Sequence, residues 1–328
     1  MRIASVPPWP AWVCEAASLM GGASAMVAHR PVMVTEVLDC LRPRTDGCYL
    51  DATVGEGGHA EALLDASAPT GRVIGFDRDP HVLTVARERL AGYGPRCVLF
   101  QGDYREIAER LPLLGLELLD GILLDLGISS YQLDQPERGF SFRADGPLDM
   151  RFNPSQGTTA ADLVARCSEG ELCRWLQEFG EERWARRIAR AIVRRREQEP
   201  LLTTTQLASV IERAVPPAAR YGRIHPATRT FQALRIAVNC ELDGLGEALE
   251  RLVDRLTPGG RLCVLTYHSL EDRIVKHRFR ALAAAAQGGT GRRVTVLTRR
   301  PLRPTPKEIE SNPKSRSAKF RAIERGEH

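Results

Sequence analysis

No apolar run in the chain approaches the roughly 20 residues that a bilayer-spanning helix needs, which excludes a helical membrane protein. None of the eight cysteines forms a Cys-x-x-Cys pair or joins a Cys/His cluster at metal-ligand spacing, so no metal is expected. Scattered thiols are most simply those of a reduced cytosolic protein. Lysine is scarce: Lys276, Lys307, Lys314 and Lys319 are the four among 46 basic residues, a bias that genome composition explains as readily as function. There is no internal repeat. Residues 1–25 carry Arg2 and a small-residue Ala23-Ser24-Ala25, but Pro7, Pro8 and Pro10 interrupt the apolar core a secretion signal requires and Glu15 follows it. They read as a disordered extension, with Met26 as an alternative start.

What is present suits a main domain with a second or inserted one, since 328 residues exceed the usual single-domain size and 43% apolar residues are ample for a core. The net charge of +5 is uneven: 11 basic and 3 acidic residues lie between Arg292 and Arg325. A basic tail of this kind suits phosphate contacts, and equally a solvated charged surface.

From Tyr49 the pattern is an α/β alternation. Strands are expected at Tyr49–Ala52, Arg72–Asp77, Arg96–Phe100 and Leu119–Asp125, with helices from His59 to about Asp65 and from Pro80 to Leu90. The proline suits a first helical turn. Such alternation predicts an open, mostly parallel sheet covered by helices on both faces. It breaks after about Asp134. Leu172, Trp175, Leu176, Phe179, Trp184, Ile188 and Ile192 then mark an apolar helical face, and Thr203 begins a further helix, so the block reads as an all-helical insertion. A helix from about Thr228 to Leu256, a Pro258-Gly-Gly turn and a strand Arg261–Tyr267 resume the sheet, and Arg293–Thr298 with Ala318–Ile323 suggest an antiparallel edge hairpin. The expected domains are therefore 26–133 with 231–328, and an inserted 134–230.

The strongest local signal is Asp51-Ala-Thr-Val-Gly55-Glu-Gly57-Gly58-His59 directly after the first strand. Glycines there let a ligand approach the backbone and leave helix N-terminal amides free for a carboxylate or phosphate; a plain tight turn is the alternative. Asp77 ends the second strand, where a carboxylate accepts the hydroxyls of an adenosine ribose, while Asp79 is the better cap for the following helix. Asp103-Tyr104 follows the third strand, with the Tyr104 ring offering a flat face to an adenine or simply a structural aromatic. Asp125-Leu-Gly127-Ile-Ser-Ser130-Tyr-Gln132 follows the fourth. There Asp125 could hold the N–H bonds of a cytosine amino group, raising the reactivity of its delocalised nitrogen, or bind the amine of a cofactor. Past the fifth strand, Tyr267 could stack on an extruded base and His268 donate a hydrogen bond, while Ser269 with Asp272 reads as a helix-capping box. Pro147–Arg151, His225–Phe231 and Asn239–Glu241 form three further polar clusters, each readable alone as an ion pair or cap.

On these residues the chain closely resembles the RsmH (MraW) family, the bacterial 16S rRNA (cytosine-N4)-methyltransferases. The resemblance runs from His29 to Arg325 and rests on Asp51 to His59, Asp120 to Gln132, Glu137-Arg-Gly-Phe-Ser-Phe, Gly146 to Arg151, Gly180-Glu-Glu-Arg, His225 to Phe231 and Tyr267 to Arg273. It implies a Rossmann-like methyltransferase domain interrupted by a helical domain that recognises substrate. It also implies S-adenosylmethionine contacts at Gly57, Gly58, His59, Asp77, Tyr104, Asp125 and Gln132, with Asp125, Tyr267 and His268 as the candidate catalytic residues. The implied substrate is a cytidine in the decoding region of 16S rRNA within the small ribosomal subunit, and the implied location is cytoplasmic. The oligomeric state stays open, a homodimer included. One departure is Tyr131, in the loop carrying Gln132, where the family commonly has proline.

Three other classes compete. DNA amino-methyltransferases resemble one another by an Asp/Asn/Ser-Pro-Pro-aromatic motif where this chain reads Asp125-Leu-Gly-Ile. A nicotinamide oxidoreductase would turn the glycine loop to pyrophosphate and have no need of the basic segment. A non-catalytic RNA-binding protein would have no need of Asp125 or Gly57-Gly58.

Overall fold

The computed structural model describes residues 30–222, 224–287 and 293–326; the extension read over 1–25 lies outside them. The chain forms two compact units, one built from the segments up to Gly127 and from Gly244 onward, the other from Ile128–Asp243. In chain order the first unit contains α1 (Val34–Leu41), β1 (Cys48–Asp51), α2 (Gly58–Ala66), β2 (Arg72–Asp77), α3 (Pro80–Leu90), β3 (Cys97–Gln101), the single turn α4 (Ile107–Arg110) and β4 (Leu119–Leu126). The second contributes α5 (Ser130–Asp134), α6 (Ala160–Arg166), α7 (Glu169–Glu178), α8 (Ala185–Arg196), α9 (Thr204–Ala214), α10 (Pro217–Arg220) and α11 (Ala227–Asn239). The first then resumes with α12 (Leu245–Val253), β5 (Leu256–Thr266), α13 (Ser269–Gln287), β6 (Val294–Val296), α14 (Pro306–Ser311) and β7 (Lys319–Arg325).

The seven strands form one sheet in the order β3-β2-β1-β4-β5-β7-β6. β1 to β5 run parallel, and β7 and β6 are antiparallel additions at one edge. The expected fold class is the observed one. The central strands are near-continuous apolar runs because both faces are covered. Alternate side chains serve separate cores: Leu50, Ile74, Ile122 and Val264 pack with α12 and α13, whereas Tyr49, Val73, Leu123 and Cys263 pack with α1, α2 and α3. Strand order reverses direction between β1 and β4, so the carboxyl ends of those strands border the crevice where open α/β sheets take ligands.

Three local expectations need correction. The helix expected over Thr228–Leu256 is two, α11 and α12, because Cys240 and Gly244 adopt left-handed conformations (φ 49° and 67°) that end one helix and open the next. The apolar periodicity runs on across the break and hides it. The Pro258-Gly-Gly turn is absorbed into β5, whose register against β4 shifts between Leu119 and Gly121, with Gly259 at φ 79°. Finally, the basic segment, described from Arg293 onward, is no free tail. Within it Lys319 and Arg321 pair with Asp272 at 3.3 and 2.6 Å, and Arg325 donates to the carbonyl of Asp254.

The helical unit has its own core, including Leu172, Leu176, Ile188, Ile192, Leu207 and Leu234. Its helices are well started: Thr159 with Asp162, Ser168 with Glu171 and Thr203 with Gln206 form capping boxes. The polar clusters are structural here. Arg151 grips Asp149 through Nε and Nη2 (2.8 and 2.7 Å), and Arg235 grips Glu241 through two bonds of 2.7 Å. Asn239 accepts from the Phe152 amide and donates to the Met150 carbonyl, which ties the 150–152 segment to α11. His225 accepts from the Ala227 amide at Nδ1, so its Nε2 carries the proton and donates to Glu212 at 2.7 Å. Among the described residues no helix is long and apolar enough to cross a membrane.

Candidate functional site

The β1–α2 loop begins the site. Gly57 sits at φ 83°, and a Cβ there would lie 3.0 Å from the Leu90 side chain, so both backbone and packing demand glycine. Among the described residues no side chain caps α2, whose first residue is Gly58; its opening amides therefore face outward from the helix end as donors. His59 is buried, with Nε2 2.8 Å from the carbonyl oxygen of Val32. A carbonyl only accepts, so Nε2 carries the proton. In the neutral imidazole Nδ1 is then an acceptor, and it looks toward Asp125 Oδ2 across 3.6 Å, beyond a hydrogen bond.

Two carboxyls end the adjacent strands. Asp77 accepts from the amides of Gly55 and Asp79, both at 2.9 Å, and burial pushes its pKa up to about 6 despite those bonds. Asp79, as expected, caps α3 by accepting from the His81 amide. Asp51 is 1% exposed; one oxygen accepts weakly from the Thr53 amide, and the other, Oδ2, has no hydrogen-bond partner among the described residues. Burial, with the negative charge of Asp125, pushes Asp51 up to about 8. A buried acid with an open oxygen beside a second carboxylate is a poor structural solution without a ligand.

Asp125 ends β4. Its amide donates to Thr53 Oγ1 at 2.6 Å, and its Oδ1 accepts from Tyr267 Oη at 2.7 Å. Burial and the Asp125 charge hold the Tyr267 hydroxyl well above the ordinary phenol range, so it stays a donor. Gly127 makes this possible: a Cβ there would come within 2.9 Å of the Tyr267 ring. Gly127→Ala is therefore expected to displace the ring and break the Tyr267–Asp125 bond. The cost is about 1–3 kcal/mol of overpacking, read as a lower Tm, together with loss of activity beyond the stability change.

The structure thus gathers Gly57, Gly58, His59, Asp77, Asp125 and Tyr267 at the carboxyl ends of β1, β2, β4 and β5. Other expected residues are placed differently. Tyr104 is only 9% exposed and packs in the core with Phe76 and Ile107. Beside it, burial would raise Asp103, but Arg105 and Arg78 hold it below the usual carboxylate range. His268 turns its ring onto Glu271, 3.0 Å from Nε2 to Oε1. Glu271, rather than Asp272, turns back to the amides of Tyr267 and His268 at the start of α13. Gln132 belongs to the helical unit, where it forms a capping box with Ser129 that opens α5, and Tyr131 does not prevent that turn. Sequence reasoning overlooks Asp51 and Thr53 as individual contributors; their position between a buried strand and the glycine loop is the signal that points to them.

Comparison with known proteins adds the following. The profile of the MraW methylase family matches residues 26–326. Proteins named Ribosomal RNA small subunit methyltransferase H are similar over nearly their whole length. The one from Pelobacter propionicus is 52% identical over 90% of this chain and 98% of its own, and that from Geobacter sulfurreducens is 51% identical over 91% and 99%. A solved rRNA methylase from Streptococcus thermophilus aligns over 92% of this chain and 100% of its own at 14% identity, with a TM-score of 0.41.

Proposed function

The chain belongs to the MraW methylase family, and from that premise we propose that it methylates the exocyclic N4 of a cytidine in the decoding region of 16S rRNA. S-adenosylmethionine is the methyl donor, the small ribosomal subunit the setting and the cytoplasm the location. That it is a small-subunit rRNA methyltransferase follows from relatives about half identical over nine-tenths of the chain. The observation that supports a methyl-transfer site is the meeting of an uncapped glycine loop with Asp51, Asp77 and Asp125 at one end of the sheet, while the cytidine target rests on the family resemblance.

The residues fit that donor. Gly57 lets the loop take its left-handed turn tight against Leu90, and the oxygen of Asp51 left open among the described residues, beside Asp125, suits a cationic ligand. Asp77 would accept the ribose hydroxyls, and the amides opening α2 would meet the carboxylate. When bound, S-adenosylmethionine supplies an electrophilic methyl group on a sulfonium. Asp125 accepts an N–H group, oriented by the Tyr267 hydroxyl and the Thr53 side chain. If that group is the cytosine amine, the acceptor favours a tetrahedral nitrogen, and its proton becomes acidic as charge develops, so little base strength is required. Tyr267 acts through Asp125, and His268 through the start of α13. The helical unit is the proposed substrate-recognition part.

The test is tritium transfer from labelled S-adenosylmethionine to small subunits lacking the modification, followed by nucleoside analysis. Label in N4-methylated cytidine is expected. Label in another nucleoside would overturn the site, and no transfer despite cofactor binding would overturn the substrate.

A further inference from the structure

The helical unit carries a concentration of charge that its own stability does not explain. α8 reads Ala-Arg-Arg-Ile-Ala-Arg-Ala-Ile-Val-Arg-Arg-Arg and contains no acidic residue. Its six arginines divide into two sets. Arg196 donates to the Val164 carbonyl and Arg195 pairs with Glu199, so these two are used within the fold. Arg186, Arg190 and Arg194 recur at intervals of four, with Arg187 beside them and Arg183 one turn earlier, and all five are exposed. The opposite face, through Ala185, Ile188, Ala189 and Ile192, is buried in the core. Among the described residues only Arg190 of the five has a carboxylate partner, Glu169 at 3.5 Å.

This arrangement works against the helix. Like charges three and four residues apart repel. Arg183, Arg186 and Arg187 also lie at the N-terminal end, where the helix dipole disfavours cations. Arg194 at the other end suits the dipole, but the stripe as a whole does not. Trp184 stands at the head of the helix, with the Arg183 and Arg187 guanidinium groups 5.1 and 5.9 Å from its ring centre. Arginines held around an aromatic and largely free of carboxylates are the surface that polyanion binding needs. The C-terminal basic segment is less suited, because Lys319, Arg321 and Arg325 are taken up inside the sheet unit.

We propose that the exposed arginine face of α8, headed by Trp184, is a docking surface for the phosphate backbone of the rRNA substrate. The inference rests on the reading of that substrate as RNA. Such contacts supply affinity and register without reading bases.

The quadruple variant R183Q/R186Q/R187Q/R194Q tests it. Binding of 16S rRNA and of unmodified small subunits is measured against salt concentration, with cofactor affinity and Tm recorded alongside. Each lost phosphate contact removes about 0.7–0.9 from the slope of log affinity on log salt, so the slope should fall by about 3 and affinity at physiological salt by at least about tenfold. Tm should hold or rise as repulsion is relieved, and cofactor affinity should not change. The corresponding lysine variant should restore the slope. An unaltered slope and affinity would overturn the proposal, as would a loss of binding traced to a lowered Tm. Wild-type binding with this salt response but no methyl transfer would overturn the activity alone and leave the surface standing.

Discussion

Asp77→Asn is expected to weaken S-adenosylmethionine binding by about 100-fold. The carboxylate is fixed by two amide donors, Gly55 and Asp79, which aim it before a ligand arrives. Hydrogen bonds to a charged group contribute about 1.5–3 kcal/mol each, and weakening two to a ribose removes about 3 kcal/mol, hence the factor. The same residue gives binding a pH dependence. Burial raises Asp77 from 3.8 to about 6, so below pH 6 the free protein holds it largely protonated. Only the carboxylate accepts from both hydroxyls, so affinity should rise up to tenfold per pH unit toward pH 6 and then level off. Stability of the free protein runs the other way: with the folded value above the unfolded one, the unfolded chain loses its proton first. The stabilisation held at low pH is therefore lost between pH 3.8 and 6, and the raised Asp51 extends the loss toward pH 8. Calorimetry of binding and thermal melts from pH 5 to about 7 would show the two trends. A pH-independent affinity, or an Asn variant that binds normally, would remove Asp77 from the site.

Much of the sheet unit is legible in the sequence. β2 and α3 fall where apolar run, terminal aspartate and Pro80 put them, because strands covered on both faces and helices opened by Asp-Pro carry their signals locally. The break between α11 and α12 is not legible, since Cys240 in a left-handed conformation leaves no compositional trace and the apolar period continues across it. Within the site, residues in one continuous motif are recognisable, but the state of Asp51 depends on burial and on Asp125, 74 residues away in sequence. The same limit applies to charge. A count makes the C-terminal segment look like the basic surface, whereas pairing consumes part of it and leaves the arginine face of α8 largely uncompensated. Periodicity of arginine along a helix is visible in the sequence; which of them are already paired is a matter of tertiary contact.

Asp125→Asn should lower kcat/KM by about 100- to 1000-fold, the usual cost of removing one preorganised group that stabilises developing charge. The substitution keeps an oxygen that can accept from Tyr267 Oη and leaves the backbone bond to Thr53 intact, so it removes charge with little change of shape. Tyr267→Phe should cost less, because it deletes the hydroxyl that orients Asp125 and leaves the carboxylate. The division of the Asn effect identifies the duty of the residue. If cofactor affinity falls in proportion, the carboxylate holds the ammonium group, in keeping with the free oxygen of Asp51 and the Nδ1 of His59 nearby. If cofactor affinity holds while turnover falls, Asp125 holds the cytosine amine, and the loss should appear in single-turnover methyl transfer. A variant with full turnover and unchanged affinity would dismiss both duties, leaving Asp125 to hold Tyr267 in place.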